Sequence, residues 1–155
     1  MFDEVGLRKA GVVSGVAADV SSGTHYSQLQ TLNEAYKVLQ LRGQALHPLS
    51  AFHWATLGNA VALGVADRMG SLSVGAEADL VVLDLRVTTA MALRAERIES
   101  LSEELFLLQI LGDDRAIAQT YVAGIPMNRA QAPATAFRSQ TRDLAPRSLL
   151  FIDEI

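Results

Sequence analysis

Apolar and polar positions follow one another along this chain in blocks of different rhythm. In SQLQTLNEAYKVLQLRG, from Ser27 to Gly43, apolar residues fall at Leu29, Leu32, Tyr36 and Leu39, with Glu34, Lys37 and Gln40 on other faces. Steps of three and four place the apolar set on one side of a helix, so the spacing predicts a helix that stops at Gly43. HPLSAFHWATLGNAVALG predicts a second, with Pro48 just before it, Ser50 as its cap and Gly64 as its close. Gly58 inside that helix costs about 1 kcal/mol relative to alanine, which points to close packing against a neighbour. A third helix is expected through ERIESLSEELFLLQILGDD, apolar at Ile98, Leu101, Leu105, Leu108 and Leu111 and widened by Phe106, Leu107 and Ile110. A short helix is expected from Phe2 to Lys9, ended by Gly11.

Strand signals occupy the intervals. Val12 to Ala18 is a short Val/Ala-rich run of the kind expected of a buried strand, and Asp19 stands at its C-terminal end. LVVLDL, Leu80 to Leu85, is the clearest strand pattern. AIAQTYVAGIPM predicts a hairpin, with a strand to Val122, a turn at Ala123-Gly124 and a return through Met127. Helical patterning gives way to strands between Asp67 and Gly70. The expected organisation is therefore an α/β unit over residues 1–68, strands with an intervening helix over 69–129, and a tail over 130–155 that has no clear period.

Half of the residues are hydrophobic and 19% are charged, enough apolar material for a folded core. The net charge is -4 with no dense Lys/Arg stripe, which excludes nucleic acid as an expected partner. The chain has no cysteine, so disulfides, thiolate zinc sites and a cysteine nucleophile are excluded, and a cytoplasmic location is expected. No apolar run approaches the ~20 residues that span a bilayer, and the N-terminus has no apolar signal core. No phosphate-binding glycine loop, GxSxG or CxxC is present.

Few residues carry candidate chemistry. Asp19, at the end of a strand-like run and before a small polar loop and a helix, fits a metal ligand or general base; its alternative is a carboxylate that caps the turn or the helix. His25 lies six residues further on and either shares that pocket or is a polar loop residue. His47 and His53 are separated by Pro48 and do not have the i, i+4 spacing of a helical zinc pair. Gly112 to Arg115, GDDR, reads as a turn in which acids cap the next element and Arg115 answers them, rather than as a hard-cation site. VGAEADLVVLD reads as a tight turn that feeds a buried strand and keeps Glu77, Asp79 and Asp84 at its ends.

Three stretches also carry a resemblance. GVAADVSSGTHYSQLQTLNEAYKV resembles the region around the last metal-binding aspartate of guanine deaminases in the amidohydrolase superfamily. LSAFHWATLGNAVALGVADRMGSLSVGAEADLVVLDL resembles that family's Ala-Thr…Leu-Gly helix, its Gly-x-Glu-Ala-Asp turn and the strand after it; LLQILGDDRAIAQTYVAGIPM resembles its Leu-Gly-Asp-Asp-Arg segment and final hairpin. The resemblance implies the C-terminal portion of such an enzyme: the last strand and helices of a (β/α)8 barrel, then part of a small composite β-sandwich. It implies a zinc enzyme that converts guanine to xanthine and ammonia, with Asp19 as zinc ligand and proton carrier. The family's HxH, its two later histidines, its catalytic glutamate and its main guanine contacts have no counterpart here. Ala18 stands where the family usually has Thr, and Ser21-Ser22 replace a glycine pair. A zinc site needs about four ligands. The isolated chain is therefore expected to be inactive and not to retain zinc. The alternative is a non-enzymatic module that docks with a separate N-terminal half or forms a homo-oligomer.

Overall fold

The computed structural model describes residues 3–19 and 22–127. Six α-helices and three strands follow in the order α1 (Glu4–Lys9), α2 (Gln28–Gln40), α3 (Pro48–His53), α4 (Asn59–Leu63), β1 (Leu80–Leu83), α5 (Thr89–Ala95), α6 (Leu101–Leu111), β2 (Ile117–Val122) and β3 (Ile125–Met127). The expected tail from residue 130 onward, and Phe2 of the first predicted helix, lie outside the described residues.

The apolar stripe of α2 behaves as its spacing predicts. Leu29, Leu32 and Leu39 are buried, and they meet Leu105, Leu107 and Leu108 of α6 and Phe52 of α3 in one core cluster. Tyr36 and Phe106 extend this contact edge to face, with ring centroids 5.7 Å apart. Gly112 permits the close approach, since a Cβ there would lie 2.9 Å from Leu29 Cδ1 and closer still to the Leu108 carbonyl. Asn33 then donates from Nδ2 to the Ile110 carbonyl at 3.0 Å, satisfying one of the oxygens that a helix end leaves open.

The third predicted helix is α6, which starts at Leu101 rather than at Glu96, and α5 ahead of it was not expected. Thr88 caps α5 by accepting from the Met91 N–H, and Ser100 caps α6 by accepting from the Glu103 N–H. A hydroxyl ahead of each run stops the previous turn and starts the next. Leu101 and Leu111 are correspondingly exposed, while Leu107 and Gln109 join Leu105 and Leu108 inside. The second predicted helix starts at Pro48, and its cap is His47, whose Nδ1 accepts from the Leu49 N–H, rather than Ser50. Gly64 closes it in the left-handed conformation, φ 72°. Between α3 and α4 the helix widens into a π turn, Trp54–Gly58. The neighbour expected at Gly58 is this turn itself, for a Cβ there would come within 2.9 Å of the His53 carbonyl oxygen.

The sheet is antiparallel in the order β1-β2-β3, with Leu80 opposite Tyr121 and Thr120 opposite Met127. Its hairpin turns at Ala123 (φ 50°) and Gly124 (φ 76°), the two positive angles that a tight two-residue hairpin turn requires. β1 ends at Leu83, short of the predicted Leu85, because the Asp84 carboxylate turns the chain by accepting from the Arg86 N–H at 2.8 Å. Residues 12–18, expected as a buried strand, form no strand among the described residues, and Val12, Val13 and Ala17 are exposed. Their apolar character does not bury them, because among the described residues no strand lies beside them to complete a sheet.

Candidate functional site

Asp19 lies at the end of the 12–18 segment, exposed and with φ 47°. Its backbone oxygen, not its carboxylate, closes the turn that follows, accepting from the N–H groups of Ser22 at 3.0 Å and Gly23 at 2.5 Å. Only glycine suits position 23, since a Cβ there would collide with the Ala18 carbonyl. The capping role weighed for the carboxylate is thus taken by a carbonyl. Among the described residues, the Asp19 side chain has no hydrogen-bond or ion-pair partner.

The segment that carries Asp19 is held by two amide side chains. Asn59, the first residue of α4, accepts from the Val16 N–H at 2.9 Å and donates to the Val16 carbonyl at 2.9 Å. Gln28, the first residue of α2, donates to the same carbonyl at 2.8 Å. An amide presents one donor and one acceptor side by side, so it offers Val16 the pair of bonds that a neighbouring strand would offer. Neither residue was legible as part of the site. An Asn at the start of a helical turn and a Gln after Ser27 carry no local signal for a partner 43 or 12 residues away.

The other sequence candidates disperse. His25 is half-buried, and among the described residues no three His, Cys, Asp or Glu side chains converge as a metal site would require. His47 is a helix cap, with its Nε2 3.5 Å from Ser102 Oγ. His53 lines a cavity of about 860 Å³ between α1, residues 11–14 and the π turn, which Asp19 does not line. A second cavity of about 790 Å³ lies between α4 and the sheet and is walled largely by apolar side chains such as Leu57, Met69 and Leu80.

The acidic runs are structural. In GDDR, Asp113 accepts from the Arg115 N–H at 2.9 Å and its carboxylate pairs with the guanidinium at 2.6 Å. That guanidinium holds the Asp113 carboxyl below its ordinary value, and the carboxylate in turn raises Arg115. Glu77 pairs with Arg68, whose own pKa is raised by that hydrogen bond, and Asp79 accepts from the Ala123 N–H. The turn of Gly75 to Asp79 therefore has its acids at the ends and spent on neighbours, as expected.

Asp19, whose carboxylate has no partner among the described residues, thus precedes a set of packed helices and a small antiparallel sheet. The chain belongs to the amidohydrolase family, whose model matches residues 4–126. Within that family it is 48% identical to the guanine deaminase of Escherichia coli strain K12 over 110 residues, 71% of this chain and 25% of that protein. The solved structure of E. coli guanine deaminase superposes with a TM-score of 0.81 at 42% identity, covering 84% of this chain and 31% of the other. An adenosine deaminase from Xanthomonas campestris, solved with bound zinc, superposes at 0.62 with 28% identity, covering 77% of this chain and 26% of that one. The chain spans about a quarter of the length of the curated relatives it matches.

Proposed function

We propose that this chain is the Asp19-bearing portion of a guanine deaminase, with residues 12–18 in the place of the last strand of a (β/α)8 barrel. Residues 1–68 then form the C-terminal end of the barrel, 69–129 contribute strands and a helix to a composite β-sandwich, and 130–155 form a tail. The whole enzyme hydrolyses guanine to xanthine and ammonia. The observation that carries this reading is the exposed carboxylate of Asp19, without a partner among the described residues at the end of the 12–18 segment, in a chain 48% identical to a guanine deaminase.

Among the described residues, the side chains do not complete a zinc site. Asp19 offers one oxygen donor, no group of three metal-binding side chains forms among the described residues, and a zinc site needs about four ligands. The metal would supply an activated water in the assembled enzyme; no part of that chemistry belongs to this chain alone. What this chain contributes is a carboxylate fixed in place for a centre completed by other residues. Among the described residues no helix is long and apolar enough to cross a membrane.

The test is complementation. This chain is co-expressed with the remaining portion of E. coli guanine deaminase, and conversion of guanine to xanthine is followed by absorbance. Turnover is expected from the pair, lost with Asp19→Asn, and absent from this chain alone. Turnover that survives Asp19→Asn, or arises from this chain by itself, overturns the assignment. A second reading, docking or self-association without catalysis, is favoured by exposed apolar residues on the hairpin, Val122, Ile125 and Met127. Sedimentation distinguishes it, since a stable monomer that restores activity to the complementing portion excludes it.

A further inference from the structure

We propose that Asn59 is a positioning residue for Asp19: its carboxamide, set at the end of the π turn, fixes the backbone of Val16 and thereby the place and direction of the carboxylate three residues on. The inference rests on the reading of Asp19 given above. Three observations converge on it. The first is the pair of 2.9 Å bonds between the Asn59 amide and both backbone groups of Val16, supplemented by Gln28 on the carbonyl. No strand among the described residues competes for those groups.

The second is Gly15. A Cβ at that position would collide with Asn59 Oδ1 and approach its Cα to 3.3 Å. The absence of a side chain at residue 15 is what lets the amide reach the backbone. Glycine also weakens a segment by its flexibility, so the residue that admits Asn59 also makes the segment depend on it.

The third is the π turn. Each α-helical residue advances about 100° around the axis, so one extra residue per turn rotates everything after it by that amount. The widened turn at Trp54–Gly58 immediately precedes Asn59 and is supported by Thr56, whose Oγ1 donates to the Phe52 carbonyl at 2.8 Å. A regular helix from Pro48 would present residue 59 in another direction. The turn thus has a local purpose: it aims one amide at the Asp19-bearing segment.

The test reads backbone order in the chain itself. Amide hydrogen exchange and ¹⁵N relaxation are measured for Val16, Ala17 and Asp19, with Leu105 and Leu108 of α6 as the internal reference. In Asn59→Ala, exchange at Val16 is expected to rise about tenfold or more, and order at Ala17 and Asp19 to fall, with exchange at Leu105 changed less than about twofold. Asn59→Asp keeps the acceptor for the Val16 N–H and loses the donor, so it is expected to fall between. Gly15→Ala leaves α4 intact and displaces the amide, and it is expected to reproduce the local loosening. Unchanged exchange at Val16 in Asn59→Ala, or acceleration equal at Val16 and Leu105, overturns the proposal. Those outcomes are read without turnover, so they are separate from a failure of the complementation assay.

Discussion

Asp79 Oδ1 accepts a hydrogen bond from the backbone N–H of Ala123 at 2.7 Å, tying the Gly75–Asp79 turn to the tip of a hairpin 44 residues later. The Gly124 N–H adds a parallel bond to the Ala78 carbonyl at 2.9 Å. The two contacts hold β1 and the β2–β3 hairpin in register from their ends. Asp79→Ala is expected to destabilise the chain by about 1 kcal/mol, the scale of an exposed charge-assisted bond. Urea denaturation gives the value, and an unchanged midpoint would show that the tie contributes nothing.

Ala123 occupies the left-handed region at φ 50°, where a Cβ is strained. Ala123→Gly relieves that strain at the cost of more freedom in the unfolded chain. The expected net gain is about 0.5 kcal/mol, and Ala123→Val, β-branched at the same angle, is expected to lose at least about 1 kcal/mol. A thermal melt of the two variants checks the order.

Gln109 is fully buried on α6, and among the described residues neither polar atom of its side chain has a hydrogen-bond partner. Burying an amide without compensation is unfavourable by about 1–3 kcal/mol. Gln109→Met, close in shape and apolar, is therefore expected to raise stability by about 1 kcal/mol or more. A lower denaturation midpoint for this variant would refute the expectation.

Asp113 gives the molecule an acid-sensitive tie. The Arg115 side chain, helped by its backbone N–H and its charge, holds the carboxyl below the ordinary range against the opposing effect of burial. A depressed folded value means that the stabilisation is complete above the unfolded value of about 3.9 and is lost as pH falls through the lower folded value. Asp113→Asn is expected to flatten the acid limb of a plot of melting temperature against pH below about 4, with little change near neutrality in slope. An acid limb identical in both proteins would remove Asp113 from the account.

The sequence made the helix-packing core legible because α2 repeats its apolar residues at Leu29, Leu32 and Leu39 without interruption. It placed the start of α6 too early, at Glu96, because the Ser100 cap was overlooked, and it gave no sign of α5, Thr89–Ala95. The hairpin was legible from Ala123-Gly124 alone. Asp19 was legible as a candidate from its place after an apolar run. Asn59 and Gln28 were invisible because their partners are backbone groups far away in sequence, and backbone partners leave no mark on residue type. The same holds for the π turn, whose extra residue changes no side chain in the pattern.

Among the described residues the Asn59 side chain bonds to Val16 alone, so it acts on residues 12–18 like a pin through a ruler. Side chains along a strand alternate faces, so a slip of one residue past that pin would turn every position to the opposite side. Register along residues 12–18 is therefore counted from Val16. On the role proposed for Asn59, Asp19 takes its place from a side chain of α4.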